Sequence, residues 1–405
     1  MTPSPHNTPM TLPTPPAPDP SLDAIADDLA TQFAATAVAR DRAGGTALAE
    51  RQLLRQSGLL KMAIPRELGG HGAPWSQTLR TVRRFAQVDS SIAQVFGFQH
   101  LMMATLRLFG SAGQWQGWMA QTARHDWFWG NALNPLDRRT QAHRLDGGVW
   151  SFEGHKSFCS GASDADMLIA SAFEAGGDRL LIAALPASRA GITVLDDWDN
   201  MGQRQTDSGS VRFERVAVEP QELLSDPGPF SSPFACLRSL VAQLVITNVY
   251  LGLAEGAVDQ AREYTLNHSR PWPGSAAATA GDDPYVLLHY GEFGAALEGS
   301  RLLADRAGSL LDAAWARGLD LTEAERGDLA VAIAAAKVTA TRTGLDLTSR
   351  MFDVAGARAT SGALRLDRFW RNLRTYSLHD PVDHKLRELG QWVLHRRHPA
   401  PSFYG

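Results

Sequence analysis

The apolar residues of this chain change period twice, which limits the folds open to it. From Ser21 to about residue 130 they recur every three to five positions. SLDAIADDLATQFAATAVARDR spaces Leu22, Ile25, Leu29, Phe33 and Val38 in this way, as an amphipathic helix does. RQLLRQSGLLKMAIP, SQTLRTVRRFAQV and SSIAQVFGFQHLMMATLRLFG continue the pattern, with Asp89, Ser90 and Ser91 offering an N-cap for the last. Over 131–225 the text alternates instead. VWSFEGHKSF, DMLIASAF, RLLIAALPA, GITVLDDW and SVRFERVAVEP read as strands, and EAGGD as a hairpin turn. LLSDPGPFSSPF is a Pro/Gly/Ser connector.

Beyond it the helical period returns. CLRSLVAQLVITNVYLGLAEGAVDQAREYTLNHSR is apolar almost all round, which suits the central helix of a bundle. Asp283-Pro284, a Thr322/Glu325 capping box and Asp380-Pro381 each open a further helix. The expected fold class is α+β. It has an N-terminal helical domain (21–130), a middle antiparallel β domain (131–225) and a C-terminal four-helix bundle with a tail (226–405). Residues 1–20 hold eight of the chain's 22 prolines, and are expected to form a disordered tail.

Composition mainly removes options. A net charge of -4 over 405 residues offers no basic face for nucleic acid or an anionic membrane. Two cysteines, Cys159 and Cys236, leave no disulfide framework and no cysteine-rich metal site. The first residues show no basic n-region or apolar h-region, and no apolar run reaches membrane-span length, so a cytoplasmic protein is expected. No GxGxxG follows a strand, and GxxxxGK[ST], HExxH and GxSxG are absent.

Four local features remain. His379 precedes Asp380-Pro381, a helix N-terminus whose positive end would hold the imidazole neutral for proton handling; the plain alternative is a structural histidine. Ser160, in FCSGAS, ends an apparent strand, where a hydroxyl can approach a ligand; an ordinary Ser/Gly turn has the same text. Arg270 in SRPW and Arg358 in GARAT lie between helices, where each could fork onto a phosphate or form a surface ion pair.

WGNALNP, LDGGVWSFEGHKSFCSGASDADMLIASAF and MGQRQTDSGSVRFERVAVEPQELL together resemble the middle domain of the acyl-CoA dehydrogenase superfamily. The domain order matches as well. The nearer resemblance is to its reduced-flavin-dependent monooxygenases, which act on dibenzothiophene, alkanesulfinates and other sulfur sources. NVYLG.A.GA.D.AREYT, RPW, GEF, DRFWRN and SLHDPV extend it over about 50–395. Dehydrogenases of the superfamily carry a glutamate, often in a YEG context, that removes an α-proton. This chain has RTYSLHDPV there, which argues against acyl-CoA oxidation.

The resemblance implies FMN as cofactor. It would arrive as FMNH2 from a separate NAD(P)H-dependent flavin reductase. With O2 it would form a C4a-peroxyflavin that oxygenates an organosulfur compound such as a sulfide, sulfinate or thiophene. Ser160 and Asn131 would face the flavin N5/O4 edge, and His379 would position the peroxide. Trp198 would pack near the ring, with Phe158 on the strand beneath it. Arg270 and Arg358 would hold the phosphate, at least one from a neighbouring subunit of a homotetramer. A family histidine on the N-terminal domain aligns with Gln99, and the next residue, His100, is the other candidate. NPLDRRTQAHR would be a lid, joined by the C-terminal PAPSFYG reaching a neighbour's site. The rival functions are an acyl-CoA dehydrogenase or oxidase, a nitrogen or aromatic-carbon hydroxylase of the same fold, and a non-catalytic scaffold.

Overall fold

The computed structural model describes residues 18–405. The proline-rich stretch therefore lies almost wholly outside the described residues. Its last residues do not belong to a tail: Pro20 starts the first helix, and Asp19 caps it by accepting from the Ser21 amide. The N-terminal helices are α1 (Pro20–Ala43), α2 (Leu48–Ser57), α3 (Trp75–Val88), α4 (Ser90–Phe109) and α5 (Ala112–His125). Asp89 caps α4 as its sequence suggests, accepting from the Ser91 and Ile92 amides.

The middle sheet holds β1 (Trp129–Ala132), β2 (Gln141–Arg144), β3 (Trp150–Lys156), β4 (Met167–Glu174), β5 (Leu180–Pro186), β6 (Ile192–Val194) and β7 (Val211–Val218). The strand order is β1-β4-β2-β3-β7-β6, with β5 also on β4. The β4–β5 hairpin forms around EAGGD as expected. The sheet is mixed rather than antiparallel, because β4 pairs in parallel with both β1 and β2. Neither short strand was legible: each has four residues, too few to show alternation. The end of the supposed lid, Gln141–Arg144, is β2 itself, paired with β3.

The bundle comprises α6 (Leu237–Asn267), α7 (Pro284–Arg317), α8 (Glu323–Ala355) and α10 (Val382–His395), with the short α9 (Asp367–Tyr376) before the last. Asp283 and the Thr322/Glu325 box cap α7 and α8. Helix α6 is long and apolar enough to cross a membrane, but its apolar stretch is 94% buried within the molecule. It packs closely on α3. A Cβ at Gly252 or Gly256 would run into the carbonyls of Arg83 and Gln87, so the two helix backbones approach where only glycine fits. One continuous apolar core runs from α1 through α3, α4 and α6 to α8. A smaller one is built from side chains of the sheet.

Candidate active site

A cavity of about 860 Å³ opens where the sheet, α4, and the turn between α9 and α10 meet, within the range of small-molecule and cofactor sites. Asn131, Phe158, Ser160, Trp198 and His379 all line it. The sequence thus picked out five groups, spread over 249 positions, that folding brings to one place.

Asn131 and Ser160 are set by the backbone. The Asn131 amide donates to the Ser160 carbonyl at 3.0 Å, stitching β1 to the turn after β3. Ser160 does not end a strand. β3 stops at Lys156, and Ser160 sits in the following turn, 4% exposed. Gly161 next to it has φ +76° and lies against the Phe128 ring, a left-handed position that favours glycine. Phe158 is not on the strand either. It has φ +61° and stands 61% exposed at the cavity mouth. Its ring meets Trp198 edge-on, centroids 6.1 Å apart. Trp198 is anchored by its indole N–H, which donates to the Gln203 carbonyl at 2.8 Å.

The polar side of the cavity is a connected network. Gln94 Nε2 donates to Ser160 Oγ at 2.9 Å, and Ser160 Oγ lies 2.6 Å from Ser208 Oγ. Ser208 donates on to Thr206 Oγ1 at 2.7 Å, and Gln203 Nε2 donates to Gln94 Oε1 at 2.9 Å. Gln94, Phe98, Gln203 and Ser208 line the cavity, and none was singled out from the sequence. Gln203 and Ser208 lie within MGQRQTDSGS, which was noted only for its likeness.

Neither Gln99 nor His100 lines the cavity. Gln99 ties down neighbouring loops, donating to the Leu60 and Trp127 carbonyls and accepting from the Trp129 amide. His100 is fully buried against Phe96, and neither ring nitrogen has a hydrogen-bond partner. Burial pushes its pKa down to about 3, against a smaller upward pull from the Leu59 backbone. Successive helix residues turn ~100°. The cavity face of α4 carries Gln94 and, four residues on, Phe98; Gln99 and His100 have already rotated away from it.

His379 lies two residues before the N-cap of α10, Pro381, so the helix end is not its immediate partner. Its Nδ1 is 3.0 Å from Asp380 Oδ1. Asp380 in turn meets Lys337 Nζ at 2.5 and 2.6 Å and Gln243 Nε2 at 3.2 Å. Burial would raise the Asp380 pKa, but His379 and Lys337 outweigh it and hold it well below the usual carboxylate range. An ionised carboxylate only accepts, so His379 carries its proton on Nδ1. Nε2, which makes no hydrogen bond within the described residues, is left for the cavity.

The loop 133–140 is pinned rather than free. Lys156 Nζ donates to the Asn134 carbonyl at 3.1 Å and to that of Asp137. Asp137 feels burial, but hydrogen bonds from Arg139 and Ser157 prevail and bring its pKa down to about 2. Cys159, beside Ser160, is 1% exposed, and burial pushes its thiol up to about 12. The C-terminal residues fold onto their own chain instead of leaving it. Ser239 Oγ and Arg326 Nη2 donate to the Gly405 carbonyl at 2.8 and 2.6 Å, and Tyr404 lines the same chain's cavity.

Arg270 and Arg358 do not line this cavity. Both are exposed, and neither makes an ion pair or side-chain hydrogen bond among the described residues. Ser269 Oγ donates to the Ala355 carbonyl at 2.8 Å, which brings their two loops together at one end of the bundle.

The fold and the cavity define a class: the chain belongs to the acyl-CoA dehydrogenase family. The family's N-terminal domain model matches residues 22–126, its middle domain model 133–216 and its C-terminal domain model 244–384. Within the family it falls in the reduced-flavin-dependent monooxygenase branch. It is 62% identical to the probable FMNH2-dependent monooxygenase SfnC of Pseudomonas putida, covering 96% of this chain and 98% of that one. It superposes on the structure of methanesulfinate monooxygenase MsuC from Pseudomonas fluorescens with TM-score 0.93 and 61% identity, over 94% of this chain and 99% of that one. FMN-bound TdsC from Paenibacillus sp. A11-2, a dibenzothiophene monooxygenase, matches with TM-score 0.91 and 41% identity, over 96% and 100% of the chains.

Proposed function

We propose that this chain is the oxygenase of a two-component system. It would take FMNH2 from a separate NAD(P)H-dependent reductase and transfer one oxygen atom of O2 to a small organosulfur compound. The observation that carries this reading is the pairing inside one cavity of a polar Asn131/Ser160 edge with a His379 that presents Nε2. Among the described residues no glutamate lines that cavity, so the glutamate base of the acyl-CoA dehydrogenases has no counterpart there.

The residues fit a flavin. Asn131 and the Ser160 hydroxyl can bond the polar edge of the ring system, and Trp198 and Phe158 offer flat apolar surface beside it. Leu133, Leu136, Met201 and Leu378 add apolar wall, the last three exposed at the cavity mouth, where a bound flavin ring would cover them. Reduced FMN, when bound, supplies the electrons that activate O2. His379 then holds or delivers a proton at Nε2 while Asp380 keeps its ring in place. Of the arginines, Arg139 lines the cavity, but Asp137, Ser157 and His155 engage it. Arg270 and Arg358, exposed together at a bundle end, are suited to clasp the phosphate of a flavin in a neighbouring copy of a homotetramer. The buried free thiols Cys159 and Cys236 fit a reducing cytoplasm.

The test is oxygen consumption with FMN, a flavin reductase and NADH, in the presence of methanesulfinate or of dibenzothiophene. The reading predicts oxygenated product in proportion to O2 for at least one of them. Hydrogen peroxide alone with both would count against it.

A further inference from the structure

Asp380 links the His379 end of the cavity to two bundle groups, Lys337 and Gln243, that the oxygenation reading does not use. Lys337 lies in the middle of α8 and is 1% exposed. Its ammonium is satisfied by both Asp380 carboxylate oxygens and by Gln243 Oε1 of α6. Burial lowers its pKa to about 8, against the pull of Asp380, so it is still the ammonium at neutral pH. An ion pair this deep is a poor way to fasten a turn to a helix, because desolvation offsets most of the attraction. A pair of apolar side chains would pack as well. Only the ion pair keeps an ionised acceptor 3.0 Å from His379 Nδ1.

We propose that Lys337 and Asp380 are positioning residues for His379: their ion pair fixes the ring proton on Nδ1 and sets how readily Nε2 takes a second one. The use made of that proton rests on the flavin-oxygenase reading, but the arrangement does not. Lys337 offsets the charge of Asp380, so the imidazole faces an ion pair rather than a lone carboxylate. The other groups around the pair are weakly charged or already matched. Tyr250 of α6 and Tyr376 at the end of α9 have pKa values raised well above the ordinary phenol by burial. Tyr404 of the C-terminal segment, 5.9 Å from the His379 ring, is raised likewise, against the pull of the nearby Arg238 of α6. On α10, Lys385 is bonded to Glu388 at 2.9 Å.

Diethylpyrocarbonate acylates unprotonated imidazole nitrogen. Its rate of attack on His379, followed by peptide mass mapping across pH on the flavin-free protein, therefore reads the Nε2 lone pair directly. Lys337→Met leaves the carboxylate facing the ring alone, and the midpoint for His379 moves to higher pH by about one unit or more. Asp380→Asn keeps the shape and an acceptor oxygen but removes the anion, and the midpoint moves to lower pH. A merely structural staple would shift neither. A folded variant of either kind with the wild-type midpoint overturns the proposal, and if Lys337→Met does not fold, the near-isosteric Asp380→Asn decides it. Because no flavin or turnover is involved, a failure here is separate from a failure to oxygenate.

Discussion

Gln94 Nε2 lies 2.9 Å from Ser160 Oγ, so a helix of the N-terminal domain directly orients the hydroxyl that the sheet delivers to the cavity. Gln203, in the loop between β6 and β7, bonds back to Gln94. Three segments far apart in sequence therefore agree on one position for Ser160, and buried polar groups joined in this way are costly to leave unmatched.

Gln94→Ala removes a buried donor from this network. It should lower stability by about 1–3 kcal/mol and reduce product formed per O2 by about fivefold, the worth of roughly one hydrogen bond. Thermal melting and a coupled product/peroxide assay measure the two effects; unchanged coupling would remove Gln94 from the site.

His379→Ala leaves Asp380 with Lys337 and Gln243 as partners, so the fold should persist. The loss is at Nε2. Oxygen should still be consumed, but mostly as hydrogen peroxide. Unaltered product yield per O2 would take His379 out of the reaction.

Arg270→Ala and Arg358→Ala should each weaken FMN binding by about tenfold to a hundredfold, as expected for a lost charge-assisted hydrogen bond. Neither should alter the thermal stability of the flavin-free protein, since neither side chain is paired among the described residues. Quenching of flavin fluorescence gives the dissociation constant. An equal constant for both variants would refute the phosphate role.

His100 makes stability depend on pH with a definite sign. Its folded pKa is pushed down to about 3 from an ordinary 6.5. As pH falls through 6.5, the unfolded chain takes up a proton that the folded one refuses, so stability is lost from there towards pH 3. The slope is about 1.4 kcal/mol per pH unit. His100→Leu should remove that slope between pH 6 and 4.5 in denaturant titrations and leave coupling intact. A variant as acid-sensitive as the wild type would show that His100 is not buried as a neutral ring.

Much of the architecture was legible because long elements repeat their period many times. Asp89, Asp283 and the Thr322/Glu325 box marked helix starts that the structure keeps. The four-residue strands β1 and β2 were not, and with them went the parallel pairing of β4. In the site, Ser160, Asn131 and His379 could be picked out because each sits in a distinctive string. Gln94 and Lys337 could not. Each lies in an unremarkable stretch of helix, and its importance comes from what the tertiary fold sets opposite it. Asp380 was visible but given the wrong task, because a residue before Pro381 looks like a helix cap until Lys337 is seen beneath it. Which of Gln99 and His100 faces the cavity was not legible, because the rotational face of α4 is defined only by its contact with Ser160, and that face carries Gln94 and Phe98 instead.

The central claim is that one atom of dioxygen passes to an organosulfur compound at this cavity. Its most direct test supplies the protein with a flavin reductase, NADH, FMN, isotopically labelled dioxygen and methanesulfinate or dibenzothiophene, and analyses the products by mass spectrometry. The account predicts that every oxygen atom added to at least one of the two compounds carries the label, one per turnover, and that this product is lost when His379 is replaced by alanine. Unlabelled product, or labelled peroxide with both compounds unchanged, would contradict it.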